Sequence, residues 1–461
     1  MDTIDPALLA KWSGGEWRNG DSEGITGLSI DTRTIAEGEL FAAIRTEKRD
    51  GHEFLGTALE NGAAAALVDR FRPEIAIPQL VVQNVSESLL EIAKAYRLTW
   101  NIPVVGVTGS CGKTSCKELL GSMLGESTCL RTRGNLNNLL GVPLTIVQPF
   151  ARQARHAVLE AGISEPGEMK RLAYAIAPDW VIVTAIGPAH LEDLGTESNV
   201  AMEKGRLTSG PRVKGVFLGE TCERYAGYLG GLKASLVRPS SSLQEDWSYR
   251  VSVEGGKSVL QQRIYGEVAT FRYAGYGRGL ASNVALAIAM AKTLGISDGA
   301  IRESLSAWRS SGLRGEWRLQ GKRAFYVDCY NANPLSMRDA LDTFVENTPN
   351  DRPRLFVIGC MEELGEKAPG FHERLGSDFP FRNQDQLLVM GDEATSVLRG
   401  MEGAGHDPSR YSVVKSIEEV REKLMEFEGS VFLKGSRRYR LEKALVGMDD
   451  ASNPSEGKTT C

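Results

Sequence analysis

The chain has 461 residues, 42% hydrophobic and 25% charged, with 54 basic against 59 acidic side chains and a net charge of -5. That length is too great for one ordinary core and points to about three domains, while the near balance of charge excludes an electrostatic footprint for nucleic acid. No apolar run approaches the roughly 18 residues that span a bilayer, the stretch after Met1 has neither the basic nor the apolar region of a secretory signal, and seven scattered cysteines without a Cys-x-x-Cys pair read as free thiols in a reducing cytoplasm.

Residues 1–100 read as a small α/β unit. Short apolar runs predict strands over 28–30, 41–44, 65–68 and 80–82, with helices over 52–61 and 86–98. Asp31-Thr32-Arg33, Gly38-Glu39-Leu40-Phe41 and Asp50-Gly51-His52-Glu53-Phe54 supply turn residues and polar handles. From the residues alone these serve as well for solvated loops as for a ligand.

The next segment, 101–311, is organised around one stretch. An apolar run over 102–107 leads into Thr108-Gly109-Ser110-Cys111-Gly112-Lys113-Thr114, and Cys116, Leu119, Leu120, Met123 and Leu124 then recur at helical spacing. Strand, glycine turn and amphipathic helix make a phosphate-binding loop: glycines let backbone N–H groups curl around a polyphosphate, and the helix N-terminus adds partial positive charge. Lys113 can reach the β- and γ-phosphates and the Thr114 hydroxyl can hold magnesium. The first glycine of the general pattern is displaced, since Val107 stands between Gly106 and Gly109. Cys111 and Cys116 read as small fillers, with a redox role as the alternative.

Downstream, Arg133-Gly134-Asn135-Leu136-Asn137-Asn138 is a polar loop able to orient a phosphate or substrate. Glu160 ends a strand over 157–159, where a carboxylate faces the ligand crevice of a parallel sheet. It reads as a magnesium ligand or as a capping acid. His190 follows a strand over 180–184 and is a ligand or a structural histidine on equal terms. Lys204 looks like an ordinary charged helix residue. Alternation over 249–253, 259–265 and 267–273 predicts a small antiparallel meander. A helix over 282–294 is apolar almost all round and therefore buried; Asn283 near its start could read a base or cap the helix.

From 312 to 447 strands and helices alternate again, which predicts a parallel, Rossmann-like sheet. Strands are expected over 325–328, 355–359, 386–390 and 431–434, and Ser416 with Glu419 reads as a capping box opening a helix to about 427. Residues 448–461 lack periodicity and read as a disordered tail.

Taken together, these motifs resemble the Mur ligases, ATP-dependent amide-bond-forming enzymes of peptidoglycan synthesis, whose phosphate loop also lacks the first glycine. Gly141-Val142-Pro143-Leu144-Thr145, Leu313-Arg314-Gly315-Glu316-Trp317, Asp328-Cys329-Tyr330-Asn331-Ala332-Asn333-Pro334 and Met361-Glu362-Glu363-Leu364-Gly365, with the asparagine loop, are similar to those of the family's D-alanyl-D-alanine-adding members. The resemblance implies a three-domain α/β protein: 1–100 binding the UDP end of the substrate, 101–311 a central P-loop domain with the meander, and 312–447 a Rossmann-like domain for the incoming dipeptide. It implies an acid–amino-acid ligase, cytoplasmic and monomeric, with UDP-N-acetylmuramoyl-tripeptide and D-alanyl-D-alanine as substrates, ATP and magnesium as cofactors, no nucleic-acid partner and no membrane span.

The resemblance also implies roles. Gly109, Ser110, Cys111, Gly112, Lys113 and Thr114 hold the ATP phosphates, Asn283 contacts adenine, Arg314 the phosphates and Asp328 the ribose. Thr114, Glu160, His190 and Lys204 serve magnesium, Lys204 as a carbamate. Lys113, Lys204, His190 and Asn331 form the catalytic set. Asp31, Thr32, Arg33 and Phe41 bind the UDP end, and Asn135, Asn137, Asn138, Tyr330, Asn333, Lys434 and Ser436 complete the substrate contacts. Two positions depart from the family pattern: Arg206 stands where an acid is usual, and Gly279 stands near a usual histidine. They favour, weakly, an inactive nucleotide-binding paralogue; a Mur-type ligase with another acceptor is the other alternative.

Overall fold

The structure, a computed structural model, describes residues 3–447 apart from Ser311 and Lys322. The tail expectation for 448–461, and Cys461 with it, falls outside the described residues. Three α/β domains follow one another, each built on its own sheet.

The first sheet has the order Glu16–Arg18, Gln79–Val81, Ala65–Val68, Glu39–Ala42, Gly27–Ser29, parallel except for its first strand. The four predicted strands are present within a residue or two. The helix Pro6–Ser13 and the strand Glu16–Arg18 were not anticipated; Asp5 caps the former by accepting from Ala7 N, with Pro6 in its first turn. Of the first predicted helix, 51–54 is a 3-10 turn and only Leu55–Glu60 is α-helical.

Helix Val85–Leu98 ties this domain to the next. Asn84 caps its start, and Arg97 near its end is fully buried. The Arg97 guanidinium donates to Ile176 O and Ala177 O, each at 3.0 Å, and pairs with Asp179 at 2.9 Å. Asp179 also accepts from Val104 N, at the start of the strand that feeds the phosphate loop, and from Arg212. Breaking a buried ion pair leaves an uncompensated charge, so Arg97→Ala is expected to lower unfolding stability by about 3 kcal/mol in a urea titration. A change within 0.5 kcal/mol (about the range of ordinary surface substitutions) would show that Arg212 alone satisfies Asp179.

The central sheet is six parallel strands in the order Ala234–Val237, Gly215–Gly219, Trp180–Val183, Val104–Thr108, His156–Glu160, Cys129–Arg131. Val104–Thr108 lies at the switch point of this order, with Glu160 ending the strand on one side and Thr184 following the strand on the other. A crevice for ligand opens there at the carboxyl ends. The meander is present as Tyr249–Glu254, Lys257–Ile264 and Glu267–Tyr273. It covers helix Arg278–Thr293, in which every residue from Val284 to Ala291 is buried. That helix begins four residues before the predicted start, so Asn283 sits inside it and is not its cap.

The C-terminal sheet has the order Glu316–Gln320, Arg323–Asp328, Ser430–Lys434, Arg354–Gly359, Gln386–Met390, Tyr411–Val413, parallel but for its first strand. Ser416 caps helix Ile417–Glu426 as expected, although Glu419 reaches back to Lys415 N rather than to Ser416. A reciprocal capping box occurs instead between Asn333 and Ser336, at the start of helix Pro334–Glu346. Among the described residues six cysteines are free thiols, all buried except Cys111, and no helix is long and apolar enough to cross a membrane.

Candidate active site

Two glycines shape the phosphate loop. Gly112 has φ +80°, and a Cβ there would lie 2.6 Å from Asn283 Oδ1; Gly109 has φ +150°, and its Cβ would collide with the Thr184 hydroxyl. Both positions therefore require glycine. Ser110 fixes the loop to the next strand, its N donating to Ala185 O at 2.8 Å and its hydroxyl to Gly187 O at 3.0 Å. Burial pushes the Cys111 thiol up to about 11, which keeps it protonated and unreactive. Lys113 folds back onto the loop, donating to Gly109 O at 2.8 Å, and burial lowers its pKa. Its ammonium is thus held by the Gly109 carbonyl, which a phosphate oxygen would replace.

Around the loop, Glu160 gathers three groups. Its Oε1 accepts from the Thr114 hydroxyl at 3.2 Å and from Asn137 Nδ2 at 2.7 Å, while Oε2 lies 3.5 Å from Lys117 Nζ. Glu160 is 1% exposed and Oε2 has no hydrogen-bond partner. Lys117, fully buried, also donates to Thr132 O at 2.6 Å. Sequence reasoning missed it: Lys117 lies four residues after Lys113 on the buried side of the helix beside Cys116, a position where a lysine itself was the signal.

Of the asparagines, only Asn137 joins this cluster. Asn138 Oδ1 accepts from Leu140 N and Gly141 N just where the next helix begins, and Asn135 is exposed. Lys204 is completely buried, its Nζ has no partner, and burial takes its pKa well below the usual lysine range. The reading of Lys204 as an ordinary charged helix residue is corrected by that burial. Arg206 turns away, donating to Glu203 Oε2 at 2.8 Å, while Glu203 Oε1 accepts from Gly167 N and Met169 N.

The C-terminal domain closes over this crevice. His190, at φ +53°, places Nδ1 2.5 Å from Glu363 Oε2, and this pairing holds the Glu363 carboxyl below its ordinary range. Glu363, also at positive φ, receives Glu192 N on its carbonyl. Asn333 Nδ2 donates to Ser110 O at 3.1 Å across the same boundary, so its amide is engaged with the phosphate loop itself. Asp328 accepts from Lys434 Nζ at 2.6 Å, and Lys434 also donates to Asn331 O. Lys434 is 1% exposed. The Arg314 guanidinium stacks on the Tyr330 ring at 3.6 Å. Ser436 is buried just beyond Lys434.

In the first domain Asp31 accepts from Arg33 N at 3.0 Å and Nε at 2.8 Å, contacts that hold its carboxyl down at about 2. Asn61 Nδ2 donates to Thr32 O. Phe41, 2% exposed, packs with Ala43, Leu55 and Ala58 in that domain's core.

Among the described residues no group of three His, Cys, Asp or Glu side chains converges as a ready-made metal cluster. The oxygen donors Thr114 and Glu160, with Oε2 unpartnered, nonetheless suit magnesium.

A P-loop crevice closed by a Rossmann-like domain defines a nucleotide-dependent enzyme of three α/β domains. Family descriptions match its parts in succession: "Mur ligase family, catalytic domain" over 24–107, "Mur ligase middle domain" over 107–291 and "Mur ligase, glutamate ligase domain" over 314–437. The chain belongs to the Mur ligase family. It is similar to the UDP-N-acetylmuramoyl-tripeptide–D-alanyl-D-alanine ligase of Bacillus subtilis, 29% identical over 436 residues that cover 91% of this chain and 92% of that one. The Escherichia coli ligase of the same name is 28% identical over 446 residues, covering 94% and 96%. In fold it matches a crystal structure of MurF from Acinetobacter baumannii, with a TM-score of 0.85 and 24% identity over 97% of this chain and 99% of that one. The MurF ligase of Thermotoga maritima in complex with ADP matches with a TM-score of 0.76 and 23% identity over 91% and 96%.

Proposed function

We propose that this chain joins D-alanyl-D-alanine to UDP-N-acetylmuramoyl-tripeptide with conversion of ATP to ADP and phosphate. One observation carries the chemistry: the phosphate loop and Glu160 face Glu363 and Asn333 of the C-terminal domain, and a fully buried, unpartnered Lys204 lies near enough to Lys113 to feel its charge. Residues 1–100 hold the UDP end through the Asp31–Arg33 turn, 101–311 hold ATP, and 312–447 bring the dipeptide.

A carboxylate resists attack by an amine because it is negatively charged and oxide is a poor leaving group. Transfer of the γ-phosphoryl group to the tripeptide carboxylate gives an acyl phosphate and ADP. The dipeptide amine then attacks the acyl carbon, loses a proton, and expels phosphate carrying one former carboxylate oxygen. Lys113 leaves Gly109 O for the phosphoryl oxygens and offsets charge that develops there. Asn283 meets adenine, Arg314 the phosphates and Asp328 the ribose, while Asn331 and Tyr330 border the closing domain. Magnesium, when bound, neutralises phosphoryl charge; Thr114, Glu160, His190 and Lys204 would hold it. Lys204 serves as a carbamate: burial disfavours its ammonium form, and the amine, once it has lost that proton, adds carbon dioxide and releases a further proton. Closure of the third domain excludes water from the acyl phosphate. The reducing cytoplasm suits its free thiols.

Tripeptide labelled with 18O in its terminal carboxylate tests the acyl phosphate. One label per turnover should appear in inorganic phosphate; unlabelled phosphate with full amide formation would contradict it.

A further inference from the structure

Gly279 is unexplained by this function. It lies within helix Arg278–Thr293 and has no positive φ, so the backbone does not call for glycine there, and glycine is the least favourable residue but proline in a helix. What the missing side chain provides is room. Asp339, on helix Pro334–Glu346 of the C-terminal domain, accepts from Gly279 N at 2.8 Å through Oδ1, and any Cβ at 279 would run into its Oδ2.

The contact is one of three in register. Leu335, Asp339 and Thr343 lie four residues apart on one face of their helix. They meet Gly187, Gly279 and Gly277 of the central domain: a Cβ at 187 would stand 3.1 Å from Leu335 Cδ2, and one at 277 would collide with the Thr343 hydroxyl. Helix Arg278–Thr293 has no cap of its own, since its N-cap is Gly277 and no side chain of its own segment accepts from the first turn. Asp339 supplies that cap from another domain, placing a carboxylate where the helix carries partial positive charge. The same helix presents Asn283 against Gly112 of the phosphate loop.

We propose that Asp339 is a positioning residue for nucleotide binding: by capping this helix across the domain boundary it couples closure of the C-terminal domain to the seating of Asn283 and the phosphate loop on ATP. The glycine at 279, where the family resemblance leads one to expect a histidine nearby, belongs to this device. The proposal rests on the reading of the phosphate loop and Asn283 as the ATP site.

The test is calorimetric titration of the full chain with magnesium-ATP, together with steady-state kinetics and thermal melts. Asp339→Ala should weaken ATP about tenfold, the effect of losing a hydrogen bond to a charged acceptor, with the KM for the UDP substrate unchanged. Asp339→Asn, which keeps an accepting oxygen, should stay within about threefold. Gly279→Ala should weaken ATP like Asp339→Ala while melting no lower than Asp339→Ala, because both lose the cap but alanine favours the helix. The double variant should be no worse than either single one, as for two halves of one contact. Unchanged ATP affinity in both single variants, or losses that add in the double, would overturn the latch. Asn283→Ala separates the two levels. If it weakens ATP while Asp339→Ala and Gly279→Ala do not, the latch falls and the ATP site stands; if it leaves ATP binding intact, the site reading falls and the latch with it.

Discussion

Replacing Lys204 with methionine is expected to lower turnover by about a thousandfold, the scale on which preorganised charge stabilisation contributes to a transition state, without lowering the melting temperature. The two halves of this prediction come from one fact. Lys204 Nζ is buried without a partner. A polar atom already unsatisfied loses nothing when a thioether of similar length replaces the amine. A buried amine with no hydrogen-bond partner is a poor stabilising charge, which is what the proposed carbamate role would call for. Lys204→Ala leaves space for a small carboxylate, so millimolar acetate or propionate should restore part of its activity but none to Lys204→Met. A methionine variant that keeps a tenth of wild-type turnover would remove Lys204 from the chemistry.

Glu160→Gln is expected to affect both activity and stability. The amide keeps the shape and can still accept from Thr114 and Asn137, but it removes the buried carboxylate beside Lys117 Nζ and leaves Glu118, at 3.0 Å and 39% exposed. Lys117 keeps the partly exposed Glu118 as a charged partner, so the expected loss is about 1 kcal/mol, read as a lower midpoint in urea. Turnover should fall by at least about a hundredfold, because the carboxylate beside the Thr114 hydroxyl, proposed to serve magnesium, is lost. The double variant Glu160→Gln, Lys117→Met should recover the stability and none of the activity. Recovery of activity would mean that Glu160 serves only to neutralise Lys117.

The parts of this site that were legible in the sequence are local. Strand, glycine turn and amphipathic helix over 102–124 follow from periodicity within a window of two dozen residues, and Glu160 follows from its place at a strand end. The strands Gly215–Gly219 and Ala234–Val237 were not seen: they are short, and their glycines and serine interrupt the apolar run that marks a buried parallel strand. Lys117 was passed over although a lysine on the buried side of its helix was a signal, and Lys204 could not be placed, because helical spacing shows which residues share a face but not what that face meets. Asn283 was left between base reader and cap because the helix was expected to start at 282; it starts at Arg278, where Asp339, sixty residues on, accepts from Gly279 N. Glu363 and His190 likewise meet across more than a hundred residues of chain. Local physics sets out the loop, and tertiary contact decides which side chains it faces.

The measurement that bears most directly on the function is phosphate release by the purified chain with ATP, magnesium, UDP-N-acetylmuramoyl-tripeptide and D-alanyl-D-alanine, each omitted in turn. Release that requires all four, with a UDP-pentapeptide product by mass, is the predicted result. Release with another amine but not with the dipeptide, or none despite measurable ATP binding, would contradict it.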